Sequence, residues 1–165
     1  MRKDRIMTFE IRAMRPDESV AVAQLFHDVW HETQAQLQDL RKAAVRGYGF
    51  FKGRVDMPEV RTLVAVTEDQ IIGFARWSLG NLRSLFVDQG HRGKGVGEKL
   101  CHAVLAANRD ESGGSLQLDC VEVNRAARRF YERQGWRVSE TINSIDETSD
   151  SQIVVRHWVM VRTER

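Results

Sequence analysis

The chain has 165 residues, of which 42% are hydrophobic and 29% charged, a composition typical of one globular domain with a buried core. Lys and Arg total 25 against 23 Asp and Glu, and this net charge of +2 predicts neither a nucleic-acid partner nor a membrane-surface protein. The basic segment 1–7 has no apolar stretch after it, so we expect no secretory signal, and no apolar run approaches the roughly 18 residues of a membrane span. We therefore expect a single domain over residues 1–165.

The two cysteines, Cys101 and Cys120, lie inside apolar runs with no His or second Cys at metal-ligand spacing. This pattern predicts buried free thiols rather than a disulfide or a zinc site. A soluble, cytoplasmic protein without a metal is the simplest interpretation.

The N-terminal third predicts a short strand followed by helices. Phe9 and Ile11 indicate the strand, and Pro16 with the two acidic residues after it supplies a helix start. Residues 34–46 carry a weaker apolar stripe that predicts a second helix, and we interpret 47–58 as a loop. The first helix shows apolar residues at helical spacing: Val22, Leu25, Phe26, Val29 and Trp30.

Strands dominate the rest of the chain and alternate with two helices. Residues 62–67 and 71–79, joined by a tight turn at 68–70, predict a hairpin. A strand at 82–87 is followed by a helix at 93–107, which the residues at 112–114 end, and by a strand at 116–123. A helix from Asn124 to Gly135 comes next, and the last two strands, at 136–142 and 153–161, flank a polar loop at 143–152. Consecutive strands favour an antiparallel half, and the strand-helix-strand unit favours a parallel pair. The fold class is therefore α/β (α+β) with a mixed sheet.

The most specific local motif is His-Arg-Gly-Lys-Gly-Val-Gly at residues 91–97, between a predicted strand and an amphipathic helix. Glycines let the backbone approach a ligand closely, and the first turn of a helix has unpaired amides and a positive dipole end. Arg92 and Lys94 add positive charge. The motif predicts a phosphate or diphosphate site, and the alternative is a glycine-rich turn without a ligand.

Two common phosphate motifs do not fit this loop. A Walker loop needs Lys-Ser/Thr after its second glycine, but Gly95 is followed by Val96 and Gly97. The dinucleotide fingerprint fails because Glu98 and Leu100 stand where its third glycine belongs. The pattern that is present is Arg-x-x-Gly-x-Gly.

That pattern resembles the signature of the GCN5-related N-acetyltransferases (GNAT). A second match follows in the family's order: Leu118–Asn124, then Ala127, Phe130-Tyr131-Glu132 and Gly135-Trp136. The resemblance is strong over residues 62–136 and weaker at 29–33. It implies the acyl-CoA N-acyltransferase fold, a central mixed β-sheet flanked by helices in which parallel strands 4 and 5 splay apart.

The resemblance also implies an activity, the transfer of an acetyl group from acetyl-CoA to a primary amine of a small molecule or peptide by direct attack in a ternary complex. Main-chain groups of Leu85, Phe86 and Val87 would pair with the pantetheine arm, and an amide there would stabilise the oxyanion. Asn124 would hydrogen-bond the pantetheine arm, and Tyr131 would protonate the leaving thiolate. The diphosphate would lie on the loop residues Arg92, Gly93, Lys94, Gly95, Val96 and Gly97.

The sequence leaves the general base open. Asp119 is one candidate, with a structural hydrogen bond as its alternative role, and His27, His31 and His157 are others through a water chain. Four arginines on one predicted helix form either a solvated face or a contact for the 3′-phosphate of CoA: Arg125, Arg128, Arg129 and Arg133. Four aromatic residues either border the acceptor pocket or pack in the core: Trp30, Tyr48, Phe50 and Phe51.

Two other functions compete with an acetyltransferase. One is a non-catalytic CoA-binding sensor or interaction domain with the same fold, and the other is a protein that binds nucleotide phosphates. We expect acetyl-CoA and an amine as partners, no nucleic acid, no membrane and possibly a homodimer. Acceptor specificity would lie in residues 34–59 and 143–152.

Overall fold

The computed structural model describes residues 7–37, 40–147 and 152–163. The strands are Glu10–Ala13 (β1), Arg61–Thr67 (β2), Gln70–Ser78 (β3), Asn81–Val87 (β4), Ser115–Val121 (β5), Arg137–Glu147 (β6) and Gln152–Thr163 (β7). The helices are Ser19–Thr33 (α1), Leu40–Val45 (α2), Tyr48–Val55 (α3), Val96–Ser112 (α4) and Arg125–Arg133 (α5), with short 3-10 turns at Pro16–Glu18 and Gln89–His91. The seven strands form one sheet in the order β1-β2-β3-β4-β5-β7-β6. The predicted mixed α/β class is confirmed.

The first four strands form the antiparallel half of the sheet. Glu68 and Asp69 both have positive φ, 47° and 65°, and make the tight turn between β2 and β3. A two-residue turn of this hand matches the right-handed twist of the strands that it joins. The predicted hairpin is therefore confirmed.

The parallel pair is β4 and β5, joined through α4. Within the described residues the ladder between them contains one register pair, Asn81 opposite Gln117, supported by the Gln117 amide donating to the Gly80 carbonyl at 2.8 Å. Beyond this point the two strands diverge. The predicted splay of strands 4 and 5 is confirmed, and it opens a gap in the middle of the sheet.

Each face of the sheet carries its own core. On one face α4 packs against β3 so closely that a Cβ added to Gly73 would lie 3.0 Å from the Phe86 carbonyl oxygen and 3.3 Å from Val96 and Leu100 side chains. On the other face α1 and α3 cover the sheet through a cluster of aromatic rings. Its central members are Phe26, Trp30, Phe51 and Phe74.

The predicted loop at 47–58 is wrong, because residues 48–55 form α3. Gly49 and Gly53 weaken the helix signal, but the side chains of Phe51 and Val55, one turn apart, are buried against α1. Tertiary packing of this face stabilises the helix where local propensity does not. The predicted helix at 34–46 is wrong for its first part, because residues 34–37 form a turn and α2 begins at residue 40, while residues 38 and 39 lie outside the described ones.

The predicted polar loop at 143–152 is also largely wrong. Residues 143–147 continue β6 and pair with β7, which begins at residue 152, whereas 148–151 lie outside the described residues. Cross-strand hydrogen bonds extend these strands through polar sequence that lacks an apolar alternation. The extension carries Asp146 to the gap between β4 and β5.

Cys101 and Cys120 are buried free thiols, as predicted. No helix in the described part of the chain combines the length and apolar character needed to cross a bilayer. Over the same residues, no cluster of three or more His, Cys, Asp or Glu side chains is arranged to hold a metal ion.

Candidate active site

A cleft of about 410 Å³ lies where β4 and β5 separate. This volume falls within the usual range of small-ligand sites. Residues of β4 form one wall, the end of β5 and α5 form the opposite wall, and α1 to α3 together with β6 and β7 close the far side. The cleft brings together Leu85, Phe86, Asp119, Asn124 and Tyr131 from the predicted site.

The glycine loop lies at the start of α4 and presents backbone donors. Gly93 and Gly95 have left-handed φ values of 71° and 81°, which glycine adopts without strain. Gly95 is the N-cap of α4 and provides no side chain to cap it. Among the described residues, the amides from Gly93 to Gly97 have no acceptor. The loop is therefore a set of unpaired donors at the positive end of a helix dipole.

Arg92 and Lys94, the two cations of this loop, fold back onto the protein. The Arg92 Nε donates to the Val87 carbonyl at 3.1 Å, and its guanidinium lies 3.5 Å from the Glu32 carboxylate. The Lys94 ammonium donates to the Gly90 carbonyl at 2.9 Å. Both side chains remain exposed, so they add positive potential at the loop.

The β4 edge that faces β5 is open over the predicted residues. Leu85, Phe86 and Val87 pair with β3 on one side. On the other side the described residues provide no strand partner beyond Asn81. An open edge of this kind can pair with an extended ligand chain as it would with another strand.

Asn124 lies at the end of the opposite wall. Its side-chain oxygen accepts the Ala127 amide at 3.1 Å and caps α5, as predicted. The side-chain amide group has no acceptor within the part of the chain that the structure describes. It is a spare donor in the cleft.

Tyr131 is held on α5 by the end of that helix. Gly135 has a φ of 87°, and the Trp136 amide donates to the Tyr131 carbonyl at 3.0 Å, which confirms the predicted left-handed cap. The Trp136 ring packs against the Tyr131 ring with centroids 5.7 Å apart. Burial, with a smaller effect of the thiols of Cys101 and Cys120, raises the pKa of Tyr131 far above its ordinary value. The phenol stays protonated and has no hydrogen-bond partner among the described residues, so its proton is available for donation.

Asp119 presents an exposed carboxylate in the cleft and forms no ion pair with the described residues. His157 is a second candidate base. Ser144 Oγ lies 2.7 Å from His157 Nε2 and 3.5 Å from the Val155 carbonyl oxygen. If the hydroxyl donates to that carbonyl, its oxygen accepts the Nε2 proton and Nδ1 carries the lone pair.

The buried Nδ1 of His157 has no partner in the described residues. Burial lowers the pKa of His157, although the carboxylates of Asp119 and Asp146 oppose this effect. The imidazole is therefore neutral near pH 7 and able to accept a proton. His27 and His31 do not line the cleft: His27 contacts Asp28, and His31 contacts a backbone carbonyl.

The remaining predicted groups divide between packing and the cleft. Trp30, Phe50 and Phe51 both pack in the core and line the cleft, whereas Tyr48 does not line it. On α5, Arg128 pairs with Glu132 at 2.8 Å and stacks over Trp158, while the other three arginines are exposed. That geometry is typical of a solvated helix face.

Sequence reasoning missed six charged residues of the cleft: Lys42, Arg46, Arg54, Arg76, Arg83 and Asp146. Arg76 is 2% exposed in the middle of β3. A lone arginine between Ala75 and Trp77 in an otherwise apolar strand is the signal that could have found it. Lys42 and Asp146 form an ion pair of 2.5 Å. It joins the segment predicted as a helix at 34–46 to the segment predicted as a polar loop at 143–152.

Comparisons with known proteins identify the family of this chain. A family model described as an acetyltransferase (GNAT) domain matches residues 58–138. An uncharacterized N-acetyltransferase of Bacillus subtilis, YhfO, is 30% identical over 140 residues, which cover 76% of this chain and 88% of the relative. The chain belongs to the GNAT family of N-acetyltransferases. The peptidyl-lysine N-acetyltransferase YjaB of Salmonella typhimurium is 33% identical over 85 residues, 50% of this chain and 54% of that protein.

Solved structures show the same GNAT fold. The paiA N-acetyltransferase of Thermoplasma acidophilum, in complex with coenzyme A, superposes with a TM-score of 0.73 at 16% identity. The match covers 96% of this chain and 100% of that one.

Proposed function

We propose that this protein transfers the acetyl group of acetyl-CoA to a primary amine of a small molecule or of a peptide, by direct attack in a ternary complex. The N–C bond forms as the thioester C–S bond breaks, giving an N-acetyl amide and the free thiol of CoA. One proton leaves the amine and one arrives at the thiol, so the site needs a proton acceptor and a proton donor.

The observation that carries this proposal is the cleft between β4 and β5, with an open strand edge on one wall and Tyr131 on the other. The edge at Leu85–Val87 would pair with the pantetheine arm, the spare amide of Asn124 would donate to it, and the free amides of Gly93–Gly97 would hold the diphosphate. Arg92 and Lys94 would add positive charge beside it. These groups suit acetyl-CoA, which supplies the activated acetyl group when it is bound.

Tyr131 is the proposed proton donor, because its phenol is protonated and faces no competing acceptor among the described residues. His157, through the free Nδ1 lone pair, and Asp119, through its exposed carboxylate, are the proposed proton acceptors, directly or through water. A backbone amide of Phe86 or Val87 would stabilise the charge that develops on the carbonyl oxygen.

The proposal extends to the domain as a whole. Residues 1–165 would act as one GNAT domain, with acetyl-CoA and the amine as its partners. A homodimer and a cytoplasmic location stay predictions.

A thiol-release assay with acetyl-CoA and a panel of primary amines tests this function, with the N-acetyl product identified by mass spectrometry. We expect amine-dependent release of CoA and a matching mass increase of the acceptor. Binding of CoA without turnover of any amine would point to the sensor instead. Stabilisation against heat by ATP or NAD, with none by CoA, would point to a nucleotide-binding protein.

A further inference from the structure

Arg76 is a buried cation for which the described residues provide no counterion. Its residue is 2% exposed, and the described residues provide no carboxylate within ion-pair distance. Burial, together with the positive charges of Arg54 and Arg83, lowers the pKa of Arg76 to about 10. The guanidinium remains protonated near pH 7, so the protein keeps an uncompensated positive charge inside the sheet.

The contacts that Arg76 makes are all with neutral groups. One terminal nitrogen donates to Ser84 Oγ at 3.1 Å, the other donates to the Arg54 carbonyl, and the guanidinium lies 5.6 Å from the Phe26 ring centroid. The buried Nε has no partner among the described residues. Removing a charge from water is costly unless an opposite charge is bound, and none of these neighbours provides one.

The other charged residues that line the cleft are also mostly positive. The cations that line the cleft are Lys42, Arg46, Arg54, Arg76 and Arg83, and the carboxylates of the described lining are Asp119 and Asp146. Asp146 is already held by Lys42 at 2.5 Å and approached by Arg46 at 3.7 Å. Arg46 and Arg54 lie over the Phe50 ring, at 4.9 Å and 4.6 Å from its centroid, which fixes their positions. A cationic amine acceptor would therefore enter a repulsive field unless it brings negative charge.

We propose that Arg76 binds an oxyanion of the acceptor, so that the acceptor is a small primary amine carrying a carboxylate or a phosphate. This inference rests on the proposed acetyltransferase function and names its substrate class. The oxyanion binds on the β3 and α3 side of the cleft, which directs the amine toward the His157 and Tyr131 side. A cleft of about 410 Å³ must also hold the end of the pantetheine arm, which favours an acceptor of amino-acid size.

The anion that Arg76 takes is on the acceptor rather than on CoA. The CoA diphosphate is assigned to the loop at the start of α4, whose glycines do not line this cleft. Arg76 lies instead beside α3 and Phe26, on the opposite face of the sheet from α4.

The first test compares amines with and without an oxyanion. Thiol release is measured with alanine against alaninamide, with O-phosphoethanolamine against ethanolamine, and with the cationic diamine cadaverine. We expect the member of at least one pair that carries the oxyanion to have kcat/KM about 10- to 100-fold above the partner that lacks it, from the strength of a charge-assisted hydrogen bond. The two pairs separate a carboxylate from a phosphate.

The second test removes the charge. In Arg76→Met, KM for the preferred anionic amine should rise about 10- to 100-fold with little change in kcat, and Arg76→Lys should recover part of the loss. Calorimetric titration with the N-acetylated product should lose affinity in Arg76→Met, whereas the affinity for CoA should stay as in wild type. Arg61→Gln is the matched control, because Arg61 is an exposed cation on the neighbouring strand and lies outside the cleft.

The outcomes separate the two proposals. Preference for the amines without an oxyanion, or an Arg76→Met variant that loses CoA affinity instead of acceptor affinity, overturns the assignment of Arg76 while leaving the acetyltransferase in place. Turnover of no amine at all contradicts the proposed function itself. If Arg76→Met does not fold, the charge-paired amines and Arg76→Lys still decide the question.

Discussion

Tyr131→Phe is the substitution that most cleanly separates chemistry from stability in this protein. The hydroxyl that it removes has no hydrogen-bond partner among the described residues, so no buried donor or acceptor is left unpaired. The ring contact with Trp136 at 5.7 Å is retained. We therefore expect the free energy of unfolding to change by less than about 1 kcal/mol.

Activity should respond very differently. A positioned general acid contributes about 10²- to 10⁴-fold to a proton-transfer step, so kcat of Tyr131→Phe should fall by about that factor. The affinity for CoA, measured by calorimetry, should be unchanged. Because burial raises the pKa of Tyr131 far above its ordinary value, wild-type kcat should not decline through loss of this proton up to about pH 10.

The chain offers a matched control in Tyr48→Phe. Tyr48 is the other tyrosine of the sequence, and its side chain does not line the cleft. Its kcat should equal that of wild type. If kcat of Tyr131→Phe at saturating acetyl-CoA and amine stayed within about twofold of wild type, Tyr131 would not be the proton donor.

Four other substitutions test the fold and the electrostatics of the cleft. Gly73→Ala should lower the free energy of unfolding by about 1–3 kcal/mol, because its Cβ would lie 3.0 Å from the Phe86 carbonyl oxygen. Gly53→Ala, whose Cβ would have no atom within 4 Å, should raise the free energy of unfolding by about 0.5–1 kcal/mol. Urea denaturation measures both changes. Asp146→Asn should cost about 3 kcal/mol in the same assay, because Lys42 is buried and would lose its carboxylate. The pKa of His157 is lowered in the folded protein and lies near 6.5 in the unfolded chain, so His157 binds a proton more readily when the chain is unfolded. Its contribution to the free energy of unfolding is therefore complete above about pH 6.5 and is lost as the pH falls below it. His157→Gln should flatten the fall in stability between about pH 7 and 5.

Each of these expectations has a clear contrary result. Equal effects of the two glycine substitutions would mean that the Phe86 carbonyl and α4 do not crowd Gly73. A neutral Asp146→Asn would mean that Lys42 is satisfied by other groups. A pH profile of stability that is the same in His157→Gln and wild type would mean that His157 titrates alike in the folded and unfolded chains.

Local signals explain the parts of the fold that the sequence predicted well. Asn124 and Gly135 are cap residues whose chemistry acts within a few positions, and both do what their residue types indicate. The residues at 68 and 69 form a tight turn for the same reason. The glycine loop lies between a strand and a helix, as its pattern predicts, and its role in binding remains a proposal.

Long-range contacts explain the parts of the fold that the sequence did not predict. Helix α3 contains Gly49 and Gly53, and it forms because Phe51 and Val55 are buried against α1. The end of β6 is polar and is held by its ladder with β7. The cations that line the cleft lie on or next to α2, α3, β3 and β4, and no local pattern indicates that these elements meet around Arg76.

Amide hydrogen exchange with and without CoA tests most directly whether this molecule binds CoA between its separated strands. Addition of CoA should slow exchange in peptides that cover residues 85–87 and 93–97, while peptides of the remote β1–β2 edge exchange as before. Unchanged exchange in both segments at saturating CoA, or protection confined to other parts of the chain, would contradict the account.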